Sequence, residues 1–265
     1  MAEEFVEKDM DGARFEQVMM REARFSHVDL SRSHLQGVDL TGAVLEGVDL
    51  IDVKVFGDVD GLVINDVEVA PLITAELDRR DPGRVKMRAT DPDGFREAWD
   101  LLERLWDETV TRARGFEPEQ LHESVNGEWS FIETLRHLPF ATDAWIRRGV
   151  LGDPSPWHPL DLPWDQMPDI PGIPRDREAR PTLDEVLVLR KDRMATMRKM
   201  VDGLTDEQLA GHTPAASGPG WPPESSSFPV KNCLRTILNE EWEHRRFAER
   251  DLDIIESSSA AAEQD

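Results

Sequence analysis

Through the first fifty-five residues, large apolar side chains recur at every fifth position. Phe15, Met20, Phe25, Leu30, Leu35, Leu40, Leu45, Leu50 and Val55 keep this spacing. Ala13, Val18, Ala23, Val28, Ser33, Val38, Ala43, Val48 or Val53 stands two residues before each, which makes nine frames. Five residues advance an α-helix by about 500°, scattering these positions round the cylinder, and an odd period on a strand sends them to alternate faces. Neither regular element buries the pattern. A chain that turns once per frame buries it, with the large and the small position both pointing inward.

From residue 93 the period becomes helical. Phe95, Trp99, Leu102, Leu105, Trp106 and Val110 form one face of a helix over 93–114. Ser130 with Glu133, and Thr182 with Glu185, have capping-box spacing and open helices running to about 148 and over 183–203. A fourth helix follows Pro229 from Val230 to Ile255 and carries Leu234, Ile237, Leu238, Trp242 and Leu252. Four helices of this length make a bundle. Its two long connections, 149–181 and 204–229, are rich in proline and contain Trp157, Trp164 and Trp221, which argues for packed lids over free linkers. The chain therefore divides into a repeat segment over 1–70, a linker with a short helix over 71–92, a bundle over 93–256 and a disordered tail over 257–265.

Composition narrows the function classes. Of 265 residues 39% are hydrophobic, enough for a core, and the net charge of −23 opposes binding to nucleic acid or to an anionic membrane surface. All eight tryptophans follow residue 98, so the two parts have different cores. A single cysteine, Cys233, forms no internal disulfide, the N-terminus has no signal-peptide pattern, and no apolar run is long enough to span a bilayer. A cytoplasmic location is expected.

The candidate chemistry lies on the second and fourth helices. Glu240 and His244 are four apart and project from one helix face, where one ion can bridge them or water can solvate them. His137 sits in the middle of the second helix, near Pro139, whose missing amide bends the helix or lets it curve round the core. Spacing alone leaves both readings of each residue open. His158 and His212 fall in the loops as acid or base candidates. His122, His27 and His34 are expected to be solvated, and Cys233 to be core.

Two resemblances sharpen these readings. Val38-Asp39-Leu40-Thr41-Gly42 and its neighbours resemble the pentapeptide-repeat family, in which four frames make one coil of a right-handed quadrilateral β-helix. Nine frames make little more than two coils, a stub about 10 Å tall that is too short to copy a DNA duplex. Such a stub is expected to pack against the rest of the chain or a second subunit, as in a homodimer. Glu128-Trp129-Ser130 through Leu138, Asp143-Ala144-Trp145, Pro154 to Pro159, and Asn239-Glu240-Glu241-Trp242-Glu243-His244 resemble an actinobacterial protein of the DinB/YfiT-like superfamily. The resemblance covers about 93–256. It implies a mainly α fold, a DinB-like four-helix bundle, with a divalent metal, zinc before nickel, held by His137, Glu240 and His244. Many members have histidine where Glu240 stands, and the His/Glu/His set is similar to the mycothiol-dependent maleylpyruvate isomerase branch. That branch implies a catalytic ion that activates a small thiol for transfer to, or isomerisation of, a small electrophile. Trp157, His158, Trp164 and Trp221 would wall the substrate pocket. The rival reading is a non-catalytic metal-binding stress or scaffold protein assembled through its repeat segment.

Overall fold

The computed structural model describes residues 4–262 and divides into two compact units, Met1–Gly57 and Asp58–Asp265. In the first unit the backbone bends once per frame. Glu7, Gly12, Gln17, Glu22, His27, Arg32, Gly37, Gly42, Gly47, Asp52 and Gly57 all have positive φ, one left-handed residue in every five. Alternate turns are closed by a backbone bond, Ala13 N–H to the Met10 carbonyl at 2.9 Å being the first. Asp29 and Asp39 brace the turns by accepting from the amides of Ser31 and Thr41.

The expected β-helix is not formed. Among the described residues of this unit no strand is present and no backbone bond joins frames twenty residues apart, and the frame centres remain 41% to 68% exposed. Two physical causes act together. A little over two coils leaves almost no coil flanked on both sides, and solenoids need neighbours to bury their faces. Six of the left-handed positions also carry a Cβ, at a cost of ~1–2 kcal/mol each.

Among the described residues, sheet structure is confined to a hairpin, β1 (Val63–Ile64) and β2 (Val67–Glu68), whose Asn65-Asp66 turn has φ of 48° and 63° as a type I′ turn requires. The helix α1 (Ala70–Arg80) and a short 3₁₀ turn, Pro82–Arg88, follow. The stretch expected as a linker is thus folded into the second unit. Met87 is buried, the Arg235 side chain on the last helix donates to the Ala89 carbonyl, and a Cβ on Gly83 would stand 2.9 Å from the Trp242 ring.

The bundle consists of α2 (Pro92–Ala113), α3 (Phe131–Thr142), α4 (Leu183–Asp202) and α6 (Val230–Ala262), with a one-turn helix α5 (Asp206–Ala210) in the second connection. Asp91 caps α2, and both expected capping boxes close on α3 and α4. Phe95, Trp99 and Leu102 of α2, Met197 and Val201 of α4, and Leu234, Ile237 and Leu238 of α6 form one buried cluster, Trp106, Ile132, Leu135, Val186 and Leu252 form a second, and Phe140 with Met167 and Ile173 of the first loop forms a third. Two departures matter. The last helix continues to Ala262, through most of the segment expected as a tail, and residues 263–265 lie outside the described residues. The second helix stops being α-helical at Asp143 and widens into a π-helical segment, Asp143–Val150, one turn after Pro139.

Candidate metal centre

The Ser130–Glu133 capping box starts α3 at Phe131 and so places His137 two turns in, 7% exposed and facing α6. On α6, Glu240 and His244 stand one turn apart. The register of α6 is pinned next door by Glu241, which accepts both guanidinium arms of buried Arg190 at 2.7 and 2.8 Å while that guanidinium lies 4.8 Å over the Trp106 ring. Glu240 Oε2 then lies 3.3 Å from His137 Nε2 and 3.1 Å from His244 Nε2, and one donor atom from each of the three falls within 4.8 Å of the others.

This donor set fits a single cation. Two ligands each about 2 Å from one tetrahedral ion stand roughly 3.3 Å apart, matching the two short separations. The ring orientation fits as well. His137 Nδ1 lies 2.9 Å from the Leu162 carbonyl, to which only a protonated Nδ1 can donate, so neutral His137 presents a lone pair at Nε2. That lone pair faces the carboxylate oxygen of Glu240, two acceptors in contact, a conflict that a cation or a proton between them removes. Trp129 packs the far side, stacked on His244 at 5.9 Å and tilted against His137 at 4.7 Å. With protons in place of a cation in these gaps, burial would raise the Glu240 carboxyl, yet the hydrogen bonds and charges of the protonated imidazoles outweigh it and hold the group well below the ordinary carboxylate range.

Both long connections are clamped by buried arginines of the second helix. Arg136 donates to the carbonyls of Leu160, Asp176 and Ala179 and accepts the Leu162 amide on its own carbonyl, which seats the carbonyl that backs His137. Arg148 donates to the carbonyls of Pro154, Ser217, Gly218 and Pro222. Gly220 packs so closely on it that a Cβ would stand 2.6 Å from the guanidinium carbon.

The clamps bring Trp164 from one loop and Trp221 from the other into edge-to-face contact at 5.1 Å, over a cleft of about 220 Å³. His137 and Glu240 form its floor, with Phe140, Trp145 and Thr236 completing the walls. Of the four residues expected at the pocket, Trp164 and Trp221 line it and two do not. Trp157 is stacked on Phe140 at 5.6 Å, outside the cleft, because the ring fills the groove between loop and helix. His158 is turned away; its Nδ1 accepts the Leu160 amide, and burial followed by the nearby Arg193 charge lowers its pKa. Sequence reasoning passed over Phe140, Trp145 and Thr236, although helical spacing from His137 and Glu240 places all three on the ligand faces. His212 is exposed beside its bridge partner Pro229, while His122, expected to be solvated, is half-buried with its pKa lowered by that burial. Cys233 is buried, its thiol pushed up to about 11.

A second polar cluster underlies the first loop. Asp143, at the start of the π-helical segment, accepts from Arg193 of α4 at 2.8 Å and meets the Asp161 carboxyl, itself bonded by the His158 amide at 2.8 Å. Both aspartates are fully buried. Burial, then the Asp143 charge, pushes Asp161 up to about 8, and burial raises Asp143 against the pull of Arg193, so the pair retains a proton at neutral pH.

The fold is a helical bundle in which three donors between α3 and α6 could hold one metal ion. The family comparison names it. The model of the DinB superfamily matches residues 101–248, and the chain belongs to that superfamily, which includes metal-dependent enzymes. Pentapeptide repeats, eight copies, are matched over residues 9–47. No curated protein and no solved structure matches the chain. Among the described residues no helix is long and apolar enough to cross a membrane.

Proposed function

We propose that this protein is a cytoplasmic, metal-dependent enzyme that activates a low-molecular-weight, mycothiol-like thiol for transfer to a small electrophile or for its isomerisation. The observation that carries the reading is the grouping of His137, Glu240 and His244 beside a walled cleft that His137 and Glu240 line, since a purely structural ion needs no cavity beside it. A divalent ion held by these three residues, zinc before nickel, supplies the charge that keeps a bound thiol ionised at neutral pH. The chain's own groups do the rest. Leu162 fixes the His137 tautomer through its carbonyl, Trp129 orients His244, and Trp145, Trp164 and Trp221 exclude water from the space where sulfur meets the electrophile. Buried Cys233 offers no competing thiolate.

Metal content after purification without chelator tests the site. About one equivalent of zinc or nickel is expected in the native chain and little in Glu240→Ala or His137→Ala; undiminished metal in either variant rejects the ligand set. In the cobalt-substituted protein, saturating thiol should shift the visible spectrum, and a spectrum indifferent to thiol rejects thiol activation.

A second reading draws on the exposed frame centres of the first unit. It makes the chain a non-catalytic metal-binding scaffold, joined as a homodimer through the repeat segment. Sedimentation of the full chain against one lacking residues 1–57 distinguishes it.

A further inference from the structure

The cleft's walls specify what enters it more narrowly than the ligand set does. Phe140, Trp145, Trp164 and Trp221 present aromatic faces, Thr236 one hydroxyl, and Glu240 a carboxylate that belongs to the metal centre. Among the described residues lining the cleft there is no lysine or arginine. The guanidiniums that anchor the two loops and the Asp143 cluster are committed to those contacts: Arg148 to four loop carbonyls, Arg136 to three, and Arg193 and Arg147 to Asp143. An anionic group in the cleft would lose its hydration without gaining a partner, the costliest form of burial.

Charge at the floor points the same way. Glu240 is the one carboxylate of the donor set, so a divalent ion held there keeps a single positive charge, which one thiolate cancels. No unbalanced charge remains for a second anion. The size is also restrictive. About 220 Å³ compares with the ~150 Å³ of an apolar cavity that holds benzene, which leaves room for one ring and a short substituent.

We propose that the cleft selects an uncharged electrophile carrying one aromatic ring or an aliphatic group of that bulk, and that Trp164 and Trp221 grip it from opposite loops. This rests on the metal-dependent reading for its use in catalysis, although binding selectivity is measurable without turnover.

Three isosteric probes, 4-methylbenzyl alcohol, 4-methylbenzoate and 4-methylbenzylammonium, differ essentially in charge. Their binding to the full-length chain is compared by saturation-transfer NMR, with zinc and a saturating small uncharged thiol, and after chelation. With zinc and thiol, the alcohol should bind at least tenfold more tightly than either ion, and the preference over 4-methylbenzoate should survive chelation. Trp221→Ala should weaken the alcohol at least fivefold while the zinc equivalent is unchanged. Equal or tighter binding of 4-methylbenzoate in both metal states overturns the proposal, as does alcohol binding that ignores Trp221→Ala in a folded variant. Absence of bound zinc with the alcohol still ahead of 4-methylbenzoate sinks the metal centre while upholding the cleft's selectivity.

Discussion

Replacing Asp161 with asparagine should make the bundle more stable, increasingly so as the pH rises. In the folded chain Asp161 titrates at about 8, against an ordinary value of 3.8. Its folded-state value lies above the unfolded one, so its contribution is whole below about pH 4 and is lost as the pH climbs towards 8. Over that window the native state holds one more proton than the unfolded chain, a slope of about 1.4 kcal/mol per pH unit. Asparagine retains an oxygen for the His158 amide and offers an N–H to Asp143 without the titration. Between pH 6 and 7.5 the variant should therefore gain about 2 kcal/mol on the native protein. At ~2–4 °C per kcal/mol for a unit of this size, that is a difference of about 4–8 °C in Tm. Urea unfolding of both proteins at pH 6, 7 and 7.5, followed by tryptophan fluorescence, measures it. The groups facing the pair, Arg193, Arg147 and His158, are common to both chains and cancel in the comparison. Curves that run parallel across the window would refute a shared buried proton, and a variant that loses ground as pH rises would reverse the sign.

Other substitutions probe the scaffold around the centre. Glu241→Ala leaves the Arg190 guanidinium buried without its carboxylate and should cost about 3–5 kcal/mol, read from the urea midpoint; removing Arg190 as well should recover part of that loss. Arg148→Met strands carbonyls of the 214–223 loop and should speed limited proteolysis there while zinc content is kept. Gly220→Ala drives a methyl into the pinned Arg148 guanidinium and should destabilise by about 1–3 kcal/mol, by the same unfolding assay. Leu162→Pro removes the amide bond to Arg136 and should weaken zinc binding by about 10- to 100-fold, measured by competition with a chelating dye.

The grouping of His137, Glu240 and His244 was implied by the family resemblance, spacing alone leaving each residue's role open, although its parts obey local rules. Helical spacing joins Glu240 to His244, and the Ser130–Glu133 box fixes the phase of α3 and with it His137. Phe140, Trp145 and Thr236 obeyed the same rule and were reachable from it. Less legible were the features set by long-range contacts. Nothing local distinguishes Trp157, which fills a groove on Phe140, from Trp164, which lines the cleft seven residues later; the difference arises from where Arg136 and Arg148 anchor the loops. The serine and alanine run beyond Ile255 reads as a tail by composition, yet alanine favours helix and the preceding turns extend it. In the first unit the period of five correctly gave one turn per frame, whereas closure into a β-helix depends on the number of coils stacked, which a repeat pattern does not weigh.

The Leu162 carbonyl behind His137 belongs to a loop, and that placement couples ion and loop as two ligands are coupled. Whatever factor of affinity the ordered loop lends the ion, the bound ion must return to the loop's closed form. Amide exchange in 158–164 should therefore slow on zinc addition by the same factor by which a loosened loop weakens zinc. Any group that presses Trp164 outward would be felt at the metal, and a ligand arriving at the metal would be felt as a tighter lid.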